Sequence, residues 1–386
     1  MVCALLAGLA PGAPLGAQSI FNSAGIGLPI DALDGRTRAL GSFGIGLRGS
    51  SLSPTDPGAA GRVVLPTGLI AVQPSWIELS EEGTPDRTFF RGTRFPLVAI
   101  AYPVGRGTVT LHAASVFDQR YRGERTVDVV LGGAPVPVRD LFVQEGSLSS
   151  LALGYSRMIG RTTSVGIAVG RYTGTLRRAL VRDFSSSSAS GSIEPYQSSG
   201  SWRYSGESVT AGVASDPVGI VRVAASATWS TDLTADATGQ TEGGDRSFRV
   251  PLQLRLGASS VLTPGLTLSA SAVRADWSGT EEDLGTGSYA RTVSGVGVGI
   301  ELSRARLFGR EVPIRLGFRH AGLPFSLDDE PASERVFAGG FALILSQANG
   351  VVFASTDVAV EKGRRSAGSF AEDFWRATVS LSLSGF

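Results

Sequence analysis

Hydrophobic and polar residues alternate along residues 374–386, the C-terminal stretch of the chain. Trp375 and Leu383 share one phase of the alternation, and Arg376 and Ser380 share the other. Because successive side chains of a β-strand point to opposite faces, this pattern predicts a strand with one apolar and one polar face.

The same alternation recurs along the chain after Pro66. It gives about fourteen segments, each near the length of a tilted strand that crosses a membrane. The segments are residues 68–79, 89–103, 108–121, 141–158, 162–175, 201–215, 218–231, 246–260, 265–276, 288–304, 311–321, 334–346, 351–363 and 374–386.

The connections between these segments alternate in length. Long connections, such as residues 122–140 and 176–200, follow the odd-numbered segments, and short ones, such as 104–106 and 159–161, follow the even-numbered segments. This alternation predicts an all-β protein, a transmembrane antiparallel β-barrel of about 14 strands with both termini in the periplasm of a Gram-negative cell. The apolar faces then contact lipid and the polar faces line a wet lumen.

Aromatic residues support the membrane assignment. Phe386 ends the chain with an aromatic side chain, as bacterial outer-membrane barrels commonly do, and is the candidate assembly signal, although it falls on the polar phase of its strand. Gly385 is expected to permit a local slip there. The aromatic residues expected in interfacial girdles are Tyr102, Tyr121, Tyr172, Trp229, Trp277 and Tyr289.

The N-terminal part of the chain differs from the rest. Residues 1–17 have the apolar composition and the small residues of a signal peptide, and they contain the only cysteine, Cys3. Residues 18–66 are rich in glycine and turn residues, which makes them poor strands, and we expect a compact plug segment packed against or inside a barrel of residues 67–386.

Composition excludes several other classes of protein. The chain has 386 residues, 51 of them glycine, and a formal net charge of +1. Apart from the N-terminus it has no run of about 18 apolar residues, as a membrane-spanning helix would require. It also lacks the basic clusters with interleaved aromatics of nucleic-acid-binding proteins.

Both ends of the chain resemble the FadL-like outer-membrane transporters, a superfamily of long-chain fatty-acid channels and their relatives. Arg38-Ala-Leu-Gly41 and the later Asp56-Pro57-Gly58 resemble the plug of that family, although Asp56-Pro57-Gly58 stands where the family usually has Asn-Pro-Ala. Residues 313–325 and 357–386 resemble a late strand with its loop and the C-terminal hairpin. The resemblance implies a fourteen-stranded barrel that is closed by the plug and passes hydrophobic small molecules inward.

The sequence gives little support for catalysis, metal binding or a cofactor. His112 and His320 are the only histidines, and they lie far apart in the sequence. Residues 44–49 match G-x-G-x-x-G, but no helix-forming sequence follows, so we interpret these glycines as structural. We therefore expect no enzyme activity, no cofactor and no metal.

Charged residues on the polar faces are the candidate site residues. In the plug they are Arg36 and Arg38, which accompany Gly41, Asp56 and Pro57; in the lumen they are Arg222, Arg249, Arg255, Arg315, Arg319, Asp357, Glu361 and Arg376. One interpretation is a set of mutually paired charges that braces the wall and the plug. The other is that some arginines bind a carboxylate headgroup, for which bidentate geometry suits arginine.

The sequence predicts a monomeric channel for passive uptake of hydrophobic or amphipathic, fatty-acid-like small molecules. The expected partners are that ligand, membrane lipid, lipopolysaccharide and the barrel-assembly machinery, with no nucleic acid. Two alternatives stay open: a non-transporting barrel of the same superfamily that acts as a docking or shuttle component of a secretion system, and a general diffusion porin.

Overall fold

Fourteen long strands dominate the described part of the chain. The computed structural model describes residues 19–49, 51–85, 87–131, 133–184, 194–239, 241, 243–284, 289–307, 310–327 and 329–386. The strands are β1 (Thr67–Glu81), β2 (Arg87–Val104), β3 (Gly107–Asp118, continued by Tyr121–Leu131), β4 (Ala134–Ile159), β5 (Thr163–Asp183), β6 (Tyr196–Val218), β7 (Val221–Ser230, continued by Leu233–Ala237), β8 (Arg246–Phe248, continued by Gln253–Thr263), β9 (Leu266–Asp276), β10 (Thr292–Leu302), β11 (Ile314–Gly322), β12 (Ser333–Ala348), β13 (Val351–Ala367) and β14 (Phe370–Ser384).

These strands form a closed antiparallel barrel. Each strand pairs with the next along the chain, and β1 pairs with β14, with Thr67 opposite Ser384 and Trp76 opposite Trp375. The predicted fold class, an antiparallel barrel of about 14 strands, is confirmed. Among the described residues, no helix combines the length and the apolarity needed to cross a bilayer.

The alternating pattern places apolar side chains on the outside of the barrel. On β14, Trp375 is 50% exposed whereas Arg376, on the inner face, is 4% exposed. On β11, Leu316 is 62% exposed and Arg315 only 5%. An outer wall covered with exposed Val, Leu, Ile, Trp and Phe is unstable in water and stable in hydrocarbon, as in transmembrane barrels.

Tight turns make most of the connections at the end of the barrel that carries the C-terminus, which we call the turn end. The opposite end, where most connections are longer, is the loop end. Between β12 and β13, Asn349 and Gly350 have φ angles of 49° and 76°. Two successive positive φ angles favour Asn-Gly, because these residues tolerate the left-handed region, and the turn twist matches that of the flanking strands.

Several predicted long connections are instead extended strands. Residues 122–140, predicted as a loop, form most of a hairpin between the second part of β3 and the start of β4. The connection predicted over residues 176–200 is also shorter, because β5 continues to Asp183 and β6 begins at Tyr196. The serine-rich residues 185–191 lie outside the described residues.

The predicted segment 246–260 is wrong in one respect, because β8 is interrupted between Phe248 and Gln253. Pro251 lies in this interruption and has no backbone N–H for a ladder hydrogen bond. The break changes the phase, so that Phe248, predicted to face lipid, is buried inside the barrel.

The prediction of an interfacial girdle position is also wrong for two aromatic residues. Tyr172 and Trp277 are inward-facing and buried, whereas Tyr102 and Trp229 are exposed on the outer wall. The outer wall also carries Trp76 and Trp375, which the sequence analysis did not assign to a girdle. Trp76 was missed because it lies within its segment, whereas Trp375, at the start of segment 374–386, was assigned only to the apolar phase of its strand.

Residues 19–49 and 51–63 lie inside the barrel. Their elements are the 3₁₀ helix Ile20–Ser23, the two-residue strand Leu28–Pro29, the helix α1 (Gly35–Ala39) and the 3₁₀ helix Pro57–Arg62. Asp34 caps α1 by accepting a hydrogen bond from the backbone N–H of Thr37, and Asp56 caps Pro57–Arg62 by accepting one from Ala59. The predicted signal peptide, residues 1–17, lies outside the described residues.

Glycines allow the backbone of this inner segment to contact the wall directly. A Cβ atom at Gly297 of β10 would lie 2.0 Å from the carbonyl oxygen of Gly41, and one at Gly257 of β8 would lie 2.5 Å from the carbonyl oxygen of Ile45. Gly41 itself has a φ of +61° and lies against the backbone of Phe318. The segment is therefore seated on the wall at positions that no side chain can occupy.

The largest apolar cluster lies in the loop-end half of the lumen. Phe117, Trp277 and Phe325 form its centre, with ring centroids 5.6 to 6.4 Å apart. Ile26 of the inner segment packs into the same cluster. Apolar side chains therefore fill the lumen between the loop end and the middle of the barrel.

Candidate functional site: the central cavity and its charges

A cavity of about 200 Å³ lies in the middle of the barrel, between the inner segment and the wall. Its lining combines aromatic side chains, among them Phe43, Tyr172 and Trp277, with several arginines. Since ligand sites are typically apolar cavities with a few placed polar groups, this cavity is the candidate binding site.

One network of charges fixes the inner segment below the cavity. Arg36 donates two hydrogen bonds to Glu301 of β10, at 2.9 and 3.0 Å. Arg315 of β11 donates to the same carboxylate at 2.7 Å and to Asp357 of β13 at 2.5 Å. The network supports the interpretation that charges brace the wall and the inner segment, and it accounts for three of the sequence-derived site residues.

A second network lies beside the cavity on β11 to β14. Glu334 accepts hydrogen bonds from Arg319 at 2.9 Å and from Arg365 at 2.8 Å. Arg376 donates two hydrogen bonds to Glu361, at 2.7 and 2.9 Å. Because every one of these groups is almost completely buried, their mutual pairing offsets the cost of removing the charges from water.

Arg38 joins this network to the inner segment. Its guanidinium lies 3.8 Å from Glu361 and donates a hydrogen bond of 2.5 Å to the backbone carbonyl of Asp31. The carboxylate of Asp31 in turn lies 3.4 Å from Arg319. The structure thus brings Arg38, Arg319, Glu361 and Arg376 together, as members of one cluster.

Sequence reasoning missed Glu334, Arg365 and Glu372, which complete the cluster. Arg365 donates hydrogen bonds to both carboxylates, and its guanidinium stacks 4.3 Å from the ring of Phe374. These residues lie beyond or at the predicted segment ends, because β13 and β14 extend farther toward the loop end than the alternation indicated. Continuing the inward phase past Glu361 would have found Arg365.

Arg255 differs from the other inward-facing arginines. It lines the cavity, is nine-tenths buried, and donates one hydrogen bond of 3.0 Å to the side chain of Gln253. Within the described ranges it forms no ion pair, and its Nε has no hydrogen-bond partner. A cationic group in this state is unusual in a protein interior, where charges are paired.

Two further polar groups in the cavity are incompletely paired. The Nε and Nη1 atoms of Arg94 have no hydrogen-bond partner among the described residues, although Nη1 lies 3.7 Å from Asp118. The Nδ1 atom of His112, which also lines the cavity, likewise has none. The cavity therefore presents several hydrogen-bonding groups that the described residues leave unused.

The remaining predicted site residues lie elsewhere. Arg222 is buried near the turn end, where it donates hydrogen bonds of 2.6 and 2.8 Å to the carbonyls of Leu47 and Gly49. Pro57 packs beside Gly212 on the wall. Phe386 follows the end of β14 and is 70% exposed.

The assignment of Arg249 to the lumen is wrong. Its side chain is half exposed and pairs with Glu282 at 2.6 Å and with Asp283 at 3.3 Å, both in the short helical segment after β9. The interruption of β8 explains the error, because the alternation does not continue through residues 249–252.

The glycines of residues 44–49 have a structural role. Gly44, Gly46 and Gly49 all have positive φ angles, between 77° and 91°. No helix begins at this stretch, which runs through the interior of the barrel. Within the described residues, no group of three or more His, Cys, Asp or Glu side chains is placed to hold a metal ion.

Comparison with known proteins reveals similarity at the level of structure only. No protein-family model matches the sequence, and no curated protein matches it. The toluene transporter TbuX of Ralstonia pickettii superposes with a TM-score of 0.62 at 16% identity, covering 92% of this chain and 98% of its own. A Pseudomonas aeruginosa FadL homologue gives a TM-score of 0.61 at 13% identity, covering 93% and 99%.

The toluene transporter TodX of Pseudomonas putida is similar to the same degree, with a TM-score of 0.60 at 12% identity over 94% of this chain and 99% of its own. The similarity spans more than nine-tenths of each protein. This chain therefore has the fold of the FadL-type channels, a closed antiparallel barrel of fourteen strands.

Proposed function

We propose that this protein lies in the bacterial outer membrane, with the loop end outside and both termini in the periplasm, and takes up amphipathic small molecules passively. The observation that carries the proposal is the central cavity, which combines aromatic walls with the unpaired Arg255. The related structures support the channel class, since TbuX and TodX are described as toluene transporters. Residues 18–66 act as the plug in this proposal.

The state of Arg255 favours a ligand with a carboxylate. A buried charge without a counter-ion is costly, and the cost is recovered when an anion binds. A guanidinium can donate two parallel hydrogen bonds to a carboxylate, and such charge-assisted bonds are stronger than neutral ones. Arg255 would then fix the headgroup while Phe43, Tyr172 and Trp277 contact the apolar body.

The size of the cavity limits the ligand. A cavity of about 150 Å³ is known to accommodate benzene, whereas sites for drug-sized ligands are usually about 300 Å³ or more. The cavity of about 200 Å³ therefore suits a single aromatic ring or a short chain that carries a carboxylate. An extended long-chain fatty acid would need additional space.

A gap in the wall offers an exit from the cavity. The pairing of β2 with β3 ends at Leu97 and Ala114, and beyond this point the edge of β3 pairs with residues 28–30 of the inner segment. Arg94 of β2 and Phe117 of β3 both line the cavity. In the proposed mechanism, residues 28–30 move and the ligand leaves between β2 and β3. The rest of the plug, whose backbone contacts glycines of the wall, stays in place.

Equilibrium binding tests the proposal most directly. Purified protein in detergent is titrated with benzoate, its neutral analogue benzamide and a small sugar, with the change in tryptophan fluorescence, to which Trp277 in the cavity wall contributes, as the readout. We expect benzoate to bind about tenfold or more tightly than benzamide, because a hydrogen-bonded charge pair contributes about 1.5 to 3 kcal/mol. Arg255→Met should remove this preference, whereas Arg274→Met, which removes an exposed arginine from the outer face of β9, should preserve it.

Uptake into proteoliposomes at pH 8 distinguishes the alternatives. The channel proposal predicts uptake of radiolabelled benzoate above the protein-free background, and exclusion of the sugar until residues 19–65 are deleted. Equal passage of both solutes through the intact protein would identify a diffusion porin. Passage of neither, with or without the deletion, would favour the docking component and refute transport.

A further inference from the structure

A row of aromatic and basic side chains crosses the outer wall at β1, β2 and β12 to β14. In the pairing register, Arg91 lies opposite Trp76, Trp76 opposite Trp375, and Trp375 opposite Lys362. Phe337 follows opposite Lys362. All five side chains are exposed on the outside of the barrel. We call them, together with Arg335 and Arg364 described below, the basic–aromatic row.

The height of this row places it at a membrane interface. Trp375 precedes Ser384, the end of β14 at the turn end, by nine positions. At about 3.3 Å per residue and a strand tilt of about 40°, nine residues rise about 23 Å, close to the apolar band of about 25 Å of outer-membrane barrels. Trp76 and Trp375 therefore mark the loop-end boundary of the hydrocarbon, which faces the outer leaflet in the proposed orientation.

Three of the four cations of the row have no carboxylate partner in the described part of the chain. Within the described residues, Arg91, Arg335 and Lys362 form no ion pair; the Nζ of Lys362 instead lies 5.3 Å from the centre of the Trp375 ring. Arg335 lies directly opposite Arg364 in the β12–β13 register. Like charges opposite each other are destabilising unless an anion lies between them. Arg364 has one carboxylate partner, Asp373, at 3.3 Å.

Another part of the wall has carboxylates opposite its arginines. On β5 the exposed Arg171 and Arg177 lie opposite Glu207 of β6 and Glu145 of β4, respectively. The basic–aromatic row differs from this arrangement, because a second cation lies opposite Arg335 and aromatic rings lie opposite Arg91 and Lys362.

We propose that the basic–aromatic row binds the phosphate groups of lipopolysaccharide, with Arg335 and Lys362 as the principal phosphate ligands. A phosphate monoester carries up to two negative charges and accepts charge-assisted hydrogen bonds from several cations at once. The tryptophans and Phe337 supply the contact with the sugar and the upper acyl chains, as interfacial aromatics do. The site rests on the proposed orientation in the outer membrane and is independent of the central cavity and its ligand.

Binding of purified lipid A to the detergent-solubilised, full barrel tests this site. The test variant is Arg335→Gln/Lys362→Gln, and the control is Arg171→Gln/Arg177→Gln, which removes the same charge from another part of the wall. We expect the affinity for bisphosphorylated lipid A to fall about tenfold or more in the test variant and to stay within twofold in the control. Dephosphorylated lipid A should bind the unmodified protein as weakly as lipid A binds the test variant.

Further controls distinguish binding of lipid A from binding of free phosphate, and a lost site from a misfolded barrel. Inorganic phosphate at millimolar concentration should not displace lipid A; complete displacement would show a free-anion site and overturn the proposal. Arg335→Lys/Lys362→Arg, which keeps both charges, should restore binding, and both glutamine variants should keep the benzoate affinity of the unmodified protein. Equal lipid A affinity in the test and control variants, or equal binding of the dephosphorylated lipid, would refute the site.

Discussion

Single glycines determine how closely the inner segment approaches the wall. On the inward face of β10, Gly295, Gly297 and Gly299 replace the polar side chains found at inward positions elsewhere. The backbone of Leu40 and Gly41 occupies the space that side chains at Gly299 and Gly297 would fill, and the ring of Phe43 lies where a side chain at Gly295 would be. Glycine at these positions is required by the tertiary packing, since strand residues normally favour larger side chains.

Gly297→Ala should displace the inner segment. The new Cβ would lie 2.0 Å from the carbonyl oxygen of Gly41, which is incompatible with the present packing. Overpacking of this kind typically costs about 1 to 3 kcal/mol, so we expect a lower unfolding midpoint in urea for the barrel reconstituted in lipid vesicles. Gly339→Ala is the matched control, because its Cβ would meet Leu316 at an ordinary 3.5 Å. An unchanged unfolding midpoint for Gly297→Ala would contradict the close contact between Gly297 and the backbone of Gly41.

At the scale of elements, the strands at the loop end extend well beyond the apolar band. The hairpin of β3 and β4 and the adjoining part of β5 carry charged pairs, among them Arg139 with Glu124 and Arg182 with Asp140. Arg182 of β5 donates two hydrogen bonds of 2.7 Å to Asp140 of β4. These bonds to the charged form lower the pKa of the Asp140 carboxyl below its ordinary value.

The Arg182–Asp140 pair makes the stability of the loop-end part of β4 and β5 depend on pH. Because the pKa of Asp140 is lower in the folded state, its stabilisation is fully present above the ordinary aspartate pKa of about 4 and is lost as pH falls through the lower, folded value. We expect amide hydrogen-exchange protection of residues 139–144 and 178–183 to decrease below about pH 4. In Asp140→Asn this acid-dependent loss should be absent, and an identical pH profile for the two proteins would exclude the pair as its cause.

At the scale of the whole molecule, the arrangement of polarity is inverted relative to a soluble protein. Exposed apolar side chains cover the outer wall, and buried arginines and carboxylates fill much of the interior. The charges inside are stabilised by pairing, and the apolar wall is stabilised by hydrocarbon. Trp375 on the outer wall and Trp277 in the lumen can report by fluorescence which surface contacts lipid.

Variants that retain one tryptophan test the orientation of the wall. In the variant with Trp375 alone, the tryptophan fluorescence should be quenched by lipids that carry a quencher near the headgroup, because this side chain is half exposed at the proposed interface. The variant with Trp277 alone should be unaffected, since this residue is buried in the lumen. Equal quenching of the two would contradict a barrel whose outer wall contacts lipid.

The alternation of apolar and polar residues was sufficient to predict the barrel, because the period of two is a local property of each strand. It also placed Arg255, Arg315 and Arg376 on the inner face. It failed for Phe248 and Arg249, where an interruption in β8 changes the phase, and for Arg365 and Glu334, which lie past or at the predicted segment ends. Such breaks and extensions depend on neighbouring strands and the inner segment, which the local pattern does not contain.

The order of the residues along the chain suffices to specify a barrel of strands with an apolar outer wall and charged residues within. Which of those charges are paired depends on the three-dimensional fold. Arg376 and Arg255 occupy equivalent positions in the alternation, yet one meets Glu361 and the other faces a cavity without a counter-ion. The reason is physical: pairing depends on which distant strands and which part of the inner segment meet in space.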